Sequence, residues 1–565
     1  MQKSRKIPAI LTLLLGFFMA ILDTSIVNVA LPRMSEFYGA DTAGISWVVN
    51  GYSLSFAVFL LAASRLADQF GRKKAFMTGL FLFTLSSLLC GLAGSITSLI
   101  LFRVMQGIGA ALITPLVAPL LLALFPPEKK AVMMGITGAL AGLAAASGPA
   151  LGGVLSYQLD WQWIFYINLP FGVLALVLAA SSLAESYDPT ATRKLDWGGM
   201  VTVSASSLAL TLAFMQANEK GWDSPYILSL FAAALVSLLL FLRIESRVKE
   251  PMLPLSLFRI KRFPSGNLGL FLLGIGMTGP TFILAFFLTQ VIGMTELRAG
   301  LIISVLAVAS MICSVLAAKG AAKLGPRIFS VTGMILLALG TYLLAGLTTE
   351  SSTMDYIWRL AIAGMGTGMA IANLTATTVL LPPPEKTTIA MGIGTMARTI
   401  GSALGIAVLV ALLSQSMRTE MASAKTELAE RIASSSLSAE SKAGLAEALQ
   451  QAGSRGTAAG GASGAMQSLL DQWDRKEREQ LQAASPDAAG RVKEASAKDK
   501  AELQGLLPQL QATVNTHTTA AFGLVFKISC LALLLGAVCA FVNGRKTAEP
   551  AREAERTGNA LRSPH

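Results

Sequence analysis

Charged residues are scarce in this chain of 565 residues: Asp, Glu, Lys and Arg make up 14% of it, against 53% hydrophobic residues. With a mean hydropathy of +0.60, that balance lies outside the range of soluble globular chains, so lipid must be the solvent for most of the sequence. Histidine is scarcer still, limited to His517 and His565, which argues against a zinc or haem site. Cysteine is confined to Cys90, Cys313, Cys530 and Cys539, each inside an apolar run and none in CxxC spacing. Neither a metal site nor a disulfide framework is supported. The polar segments hold no nucleophile–base pair, ligand set or phosphate loop, which argues against an enzyme, and no cofactor is expected. A net charge of +12 would suit nucleic acid, but Lys and Arg fall in short clusters between apolar stretches and form no basic module. No nucleic-acid partner is expected. The first thirty residues join a basic start (Lys3, Arg5, Lys6) to an apolar run, as a secretory leader would. They lack a small-x-small cleavage site and carry Asp23, and so read as a first membrane span.

Long apolar runs are what the sequence has in quantity. Crossing the hydrocarbon core takes about 20 such residues. Stretches near 8–32, 45–66, 75–94, 97–124, 131–157, 162–183, 196–216, 225–243, 264–290, 297–318, 328–347, 357–381, 388–414 and 517–543 qualify. The distribution of positive charge tests that count. If the chain starts inside, the loops on that side carry Arg65, Arg72, Lys73, Lys74, Lys129, Lys130, Arg193, Lys194, the basic residues from Arg243 to Arg262, Lys319, Lys323, Arg327, Arg545 and Lys546. The opposite short loops carry only Arg33, Lys220 and Arg298. This predicts an all-α integral membrane protein of fourteen transmembrane helices with both termini cytoplasmic.

Part of the sequence repeats. Pro126-Pro127-Glu128-Lys129 followed by Gly135-Ile136 recurs as Pro383-Pro384-Glu385-Lys386 followed by Gly392-Ile393. At the same offset Gly107, Gly109 and Gly148 match Gly364, Gly366 and Gly405. Helices four and five therefore correspond to twelve and thirteen, giving two six-helix bundles with an extra helix pair between them. The expected organisation is an N-terminal bundle over 1–183, two inserted helices and a linker over 184–263, and the first five helices of a second bundle over 264–414. A large extracytoplasmic insert follows over 415–515, then the last helix over 516–543 and a cytoplasmic tail over 544–565. In the insert Leu428, Ile432, Leu445 and Leu449 recur at near-helical spacing, as do Met466, Leu469, Leu470 and Trp473, then Leu503, Leu506, Leu507 and Leu510. Gly460-Gly461 and Ser485-Pro486 interrupt them. The segment reads either as a partly helical, partly disordered insert or as a helical module that docks an adaptor.

Polar residues inside the spans are the candidates for chemistry. Leu22-Asp23-Thr24-Ser25-Ile26-Val27-Asn28 places a carboxylate near mid-membrane, able to exchange a proton or a cation, or else paired to a helix backbone. Arg103 and Gln106 lie three residues apart on one face of helix four. An arginine in a helix interior costs about 2.5–3.5 kcal/mol on insertion scales, so function is the default reading and snorkelling to the outer end is the alternative. Gly148-Pro149-Ala150-Leu151-Gly152-Gly153 on helix five gives a small, bendable surface, expected between the two halves. In the loop Ser64-Arg65-Leu66-Ala67-Asp68-Gln69-Phe70-Gly71-Arg72-Lys73, Asp68 beside a basic cluster can exchange salt-bridge partners when helices move. The equivalent loop of the second half has Ala322 in place of that acid. Asn373 and Arg398 are further polar residues in spans, whereas Lys527 reads as a snorkelling side chain; no acid in the second-half spans could pair with Arg398.

These strings resemble the signatures of the major facilitator superfamily. The Asp68 loop is similar to the superfamily's signature loop, with Ser64 where glycine is usual, and Arg103-x-x-Gln106-Gly107 to a motif of its proton-coupled exporters. Gly148-Pro149-x-x-Gly152-Gly153 resembles the antiporter motif. The strings Leu22 to Pro32 and Trp161 to Gly172 look like those of the fourteen-helix drug:proton antiporters, of multidrug exporter B type. The resemblance covers the chain except 415–515, which is longer than expected. It implies Asp23 and Arg103 in proton coupling, Asp68, Gly71, Arg72 and Lys73 as a conformational switch loop, and Gly148, Pro149, Gly152 and Gly153 as the antiporter motif. Asn28, Gln106, Asn373 and Arg398 are expected at the substrate cavity or coupling site. The expected function is proton-driven efflux of small hydrophobic or cationic compounds across the bacterial cytoplasmic (inner) membrane by alternating access. Transport of one specific metabolite on the same fold is the alternative, and a membrane sensor or assembly protein that binds a partner through 415–515 is a third reading.

Overall fold

The computed structural model describes residues 3–40, 42–187, 196–248, 251, 253, 255–260, 262–439, 442–443, 478 and 486–543. Within lipid a backbone satisfies its own N–H and C=O groups only as a helix or a closed barrel, and no strand occurs among the described residues. The first half comprises α1 (Lys3–Tyr38), α2 (Thr42–Phe70), α3 (Arg72–Gly91), α4 (Ile96–Leu122), α5 (Pro127–Gln158) and α6 (Trp163–Ser182). Then come α7 (Trp197–Lys220) and α8 (Pro225–Glu245). The second half comprises α9 (Phe263–Val291), α10 (Glu296–Leu324), α11 (Pro326–Leu344), α12 (Thr353–Leu380), α13 (Thr387–Ser434) and α14 (Pro486–Asn543). All 14 are long and apolar enough to cross a membrane, and the chain folds as an all-helical bundle.

The sequence repeat is also a packing repeat. A Cβ added at Gly107 would overlap Ser55 Oγ and the Tyr52 carbonyl on α2, and one at Gly364 would overlap the Leu306 carbonyl on α10. Gly109 lies against Phe83 and Gly79 on α3, and Gly366 against Leu337 and Gly333 on α11. Gly148 meets Ser25 on α1, and Gly405 meets Ile275 on α9. Glycine recurs because each contact brings two helix backbones together with no room for a side chain. The tight α2–α3 and α10–α11 connections turn at Gly71 (φ 118°) and Gly325 (φ 90°), conformations that favour glycine.

The inserted pair lies beside the junction of the halves. Helix α7 packs against both α2 and α13; Ser204 Oγ donates to the Val58 carbonyl (3.3 Å) and Asn218 Nδ2 to the Ala407 carbonyl (2.8 Å). Helix α8 packs on α7 and exposes Leu228, Leu235, Val236 and Leu239, a surface suited to lipid.

Helices α13 and α14 are far longer than a bilayer requires. At 1.5 Å per residue their 48 and 58 residues extend about 72 and 87 Å, against a core of about 30 Å. Helical order therefore continues well into the segment read from sequence as an insert. Beyond the bundle the two extensions pair through Leu428, Ile432 and Leu437 against Leu503, Leu510 and Val514. His517 lies 2.6 Å from Glu420 and 3.3 Å from Glu427 near the base of this hairpin. The periodic positions Leu445, Leu449, Met466, Leu469, Leu470 and Trp473 fall outside the described residues.

Candidate functional site

Three of the polar residues singled out in the spans meet at one buried place. Asp23 on α1 and Gln106 on α4 are fully buried and Arg103 is 1% exposed. Arg103 donates through Nη1 to Asp23 Oδ2 and to Gln106 Oε1 (2.7 Å), and through Nε to the Val48 carbonyl of α2 (2.9 Å). Gln106 Nε2 donates to Asp23 Oδ1 (3.0 Å) and to Ser87 Oγ (3.2 Å). Both carboxylate oxygens are thus engaged, one by a charged donor and one by a neutral donor. The guanidinium carbon sits 4.3 Å from the centre of the Tyr52 ring, and Tyr52 Oη donates to the Ala20 carbonyl (3.0 Å). Arg103 points inward to an acid instead of snorkelling, and Asp23 pairs with a side chain on another helix instead of its own backbone. Such a pair can bind or release a proton only with a change in the contact between α1 and α4.

Several members of this network are ordinary residues in the sequence. Ser87 bridges Gln106 and Asn168 Nδ2 (3.1 Å), and Cys90 Sγ lies 3.8 Å from Gln106 Oε1. Neither these nor Tyr52 carries a signal without the fold, because serine, cysteine and tyrosine are common in spans. Asn168 lies in the Trp161-to-Gly172 string and joins the network through Ser87. Thr24 and Asn28, neighbours of Asp23 along the chain, are exposed on a different face of α1, where Asn28 Nδ2 donates to the Thr24 carbonyl (3.3 Å). Two exposed polar side chains in the last turns of the span fit a wet cleft better than lipid. Asn373 is buried and donates to the Met369 carbonyl of its own helix (2.8 Å). Arg398 is half-buried on α13, apart from the Asp23 network.

The loop from Asp68 to Lys73 lies at the end of the bundle where α1 begins and α14 ends. Arg72 Nε donates to Asp68 Oδ1 (2.8 Å), and its Nη2 reaches the Glu385 carbonyl of the second half (2.9 Å). Glu185 accepts from the backbone N–H of Lys73 (2.9 Å) and Lys74 (3.3 Å), closing the start of α3. A Cβ at Gly71 would come within 2.7 Å of that carboxylate. At the same end Ser314 Oγ donates to the Gly135 carbonyl across the halves (2.9 Å). Ala118, Leu122 and Met134 also pack there with Ala376 and Val379.

The glycines of α5 face two ways. Gly148 and Gly152 face Ser25 and Ile26 of α1, inside the first half, whereas Gly135, Gly138 and Gly142 on the same helix face α10 of the second. Helix α5 therefore uses glycine in two registers. Its earlier glycines close the halves together, and its later ones bring it onto the helix that bears Asp23. Gly153 is half-buried in the same unbroken helix, which also includes Pro149.

A family model described as Major Facilitator Superfamily matches residues 13–406. The chain is 33% identical over 418 residues to a multidrug transporter protein, MdtP, of Bacillus subtilis, covering 73% of this chain and 76% of the relative. It is 35% identical over 401 residues to a multidrug resistance protein, Stp, of Mycobacterium tuberculosis, covering 71% and 74%. Among solved structures, a bacterial homologue of the human lysosomal transporter Spinster, in an inward-facing state, aligns with 97% of this chain and 100% of its own at a TM-score of 0.53 and 17% identity.

Proposed function

The chain belongs to the Major Facilitator Superfamily, and from that membership we propose that it exports hydrophobic, drug-like compounds across the bacterial cytoplasmic membrane in exchange for protons. It is a multi-pass membrane transporter related to multidrug efflux proteins, and its family are transporters and not enzymes. The observation that carries the proton-coupled reading is the buried triad of Asp23, Arg103 and Gln106.

In this reading a proton arriving on Asp23 cancels the charge that holds Arg103. The guanidinium then leans on Tyr52 and the Val48 carbonyl, and α1 is free to move against α4. Loss of the proton restores the pair. Because α5 touches α1 through Gly148 and Gly152 and α10 through Gly135 and Gly138, a shift of α1 is felt at the contact between halves. With the termini cytoplasmic, the Arg72–Glu385 contact and the packing around Met134 close the inner side in the state described here. Hydrophobic cargo fits this scheme without further change; a cationic cargo would need an acid that Arg103 does not already hold.

The test is uphill efflux of a hydrophobic dye from energised cells, comparing the native chain with Asp23→Asn at matched membrane levels. Efflux that collapses both with a protonophore and with the substitution supports the mechanism. Full gradient-driven efflux by Asp23→Asn would remove it.

A further inference from the structure

Besides the Asp23–Arg103 pair, a second arginine lies in mid-bundle, and it has no counter-charge. Arg398 sits eleven residues into α13, about 16 Å along the helix, near the middle of a hydrocarbon core of about 30 Å. Among the described residues its guanidinium makes no hydrogen bond, ion pair or ring contact. The acids between residues 262 and 420 are Glu296, Glu350, Asp355 and Glu385, each in a loop or at a helix start, followed by Glu420 beyond the bundle. Asp23 is already held by Arg103. Among the described residues Arg398 is therefore a mid-bundle positive charge with no acid beside it, as Arg65 is nearer the end of α2.

That charge faces the inside of the bundle. No residue of α13 from Thr387 to Leu413 is exposed, so the helix offers no lipid-facing stripe. Gly394, Gly401 and Gly405 pack on α9, Gly392 lies against Ser64 of α2, and the Ala407 carbonyl meets Asn218 of α7. Gly274 of α9 lies against the backbone of Arg398 and Ser402, so these two residues, four apart, stand at the edge of the α9 contact. Ser402 Oγ is 2.9 Å from Thr278 Oγ1 of α9, which adds hydroxyls one turn from the guanidinium. Lys527 on α14 is the contrast: it is exposed on the stripe of Leu524, Leu531 and Leu535, where a long cation can reach the headgroups.

A half-buried arginine inside a bundle is tolerated where it faces a wet cavity or a partner. Since no side chain among the described residues pairs with Arg398, we propose that the cargo does: Arg398 binds an anionic group, such as a carboxylate, on compounds whose remainder is apolar. A planar guanidinium suits a carboxylate through two parallel hydrogen bonds, and the same charge disfavours cationic compounds of equal size. This rests on the efflux reading for its transport consequence, but not for binding.

Two probes with one apolar body separate the cases: pyrenebutyrate and its trimethylammonium counterpart, offered to the purified full chain in lipid nanodiscs and in proteoliposomes with a proton gradient. The expected result is at least tenfold tighter binding of the carboxylate, a loss of at least tenfold in Arg398→Gln for that probe alone, and an intermediate value in Arg398→Lys. Thermal stability of Arg398→Gln should equal or exceed that of the native chain, since no partner is left stranded. Unchanged carboxylate binding in Arg398→Gln, a native preference for the ammonium probe, or lowered stability in that variant would overturn the inference. Binding through Arg398 without uphill movement of either probe would leave the inference standing and sink the efflux reading instead.

Discussion

Asp23 and Arg103 hold each other in a place where neither is tolerated alone, and their energetics follow from that. Removing one partner of a buried pair strands the other and costs about 3–5 kcal/mol, whereas removing both can be nearly neutral. Thermal unfolding in detergent should therefore show Asp23→Ala and Arg103→Ala each less stable than the double variant. A double variant as unstable as the sum of the two would mean that the residues act independently. How much of the site the sequence revealed follows the same physics. Asp23, Arg103 and Gln106 stand out because charge and amide in an apolar run are costly and rare. Ser87, Cys90 and Tyr52 complete the network at no cost in composition and leave no trace. Asn28, close to Asp23 along the chain, lies on a different, exposed face of α1.

At the scale of single helices, the glycine pairs set the spacing. A methyl at Gly364 meets the carbonyl of Leu306 on α10, which is backbone and cannot turn aside. Gly364→Ala should lower stability by about 1–3 kcal/mol. Gly346→Ala, whose nearest neighbour is the Leu343 carbonyl at 3.6 Å, should stay within about 0.5 kcal/mol; equal effects in thermal unfolding would contradict the packing argument. Helix existence was legible throughout, since runs of about 20 apolar residues permit little else. Helix ends at α13 and α14 were not, because a hydropathy reading stops where polar residues begin while the backbone continues. Leu428 and Ile432 at near-helical spacing were the visible sign of that continuation. What the spacing could not show was the partner, the face of α14 around Leu503 and Leu510.

For the whole molecule, transport by alternating access requires the halves to part at the end where they now meet. A Cβ on Gly392 would lie 3.2 Å from that of Ser64, close to the spacing of a disulfide. A Ser64→Cys, Gly392→Cys double variant should cross-link under mild oxidation and lose uphill transport, and reductant should restore it. Undiminished transport in the cross-linked protein would mean that this contact does not open in the cycle. The hairpin beyond the bundle has a mechanical consequence of its own. Its two arms are continuations of membrane helices α13 and α14 of the second half, stapled by an apolar seam. Any tilt of that half must therefore be carried outward along them. Over an overhang of about 30 Å, a rotation of about 15°, as in known rigid-body transitions, displaces the tip by about 8 Å. Over the described residues the second half thus carries a lever arm that extends beyond the hydrocarbon core and moves with that half.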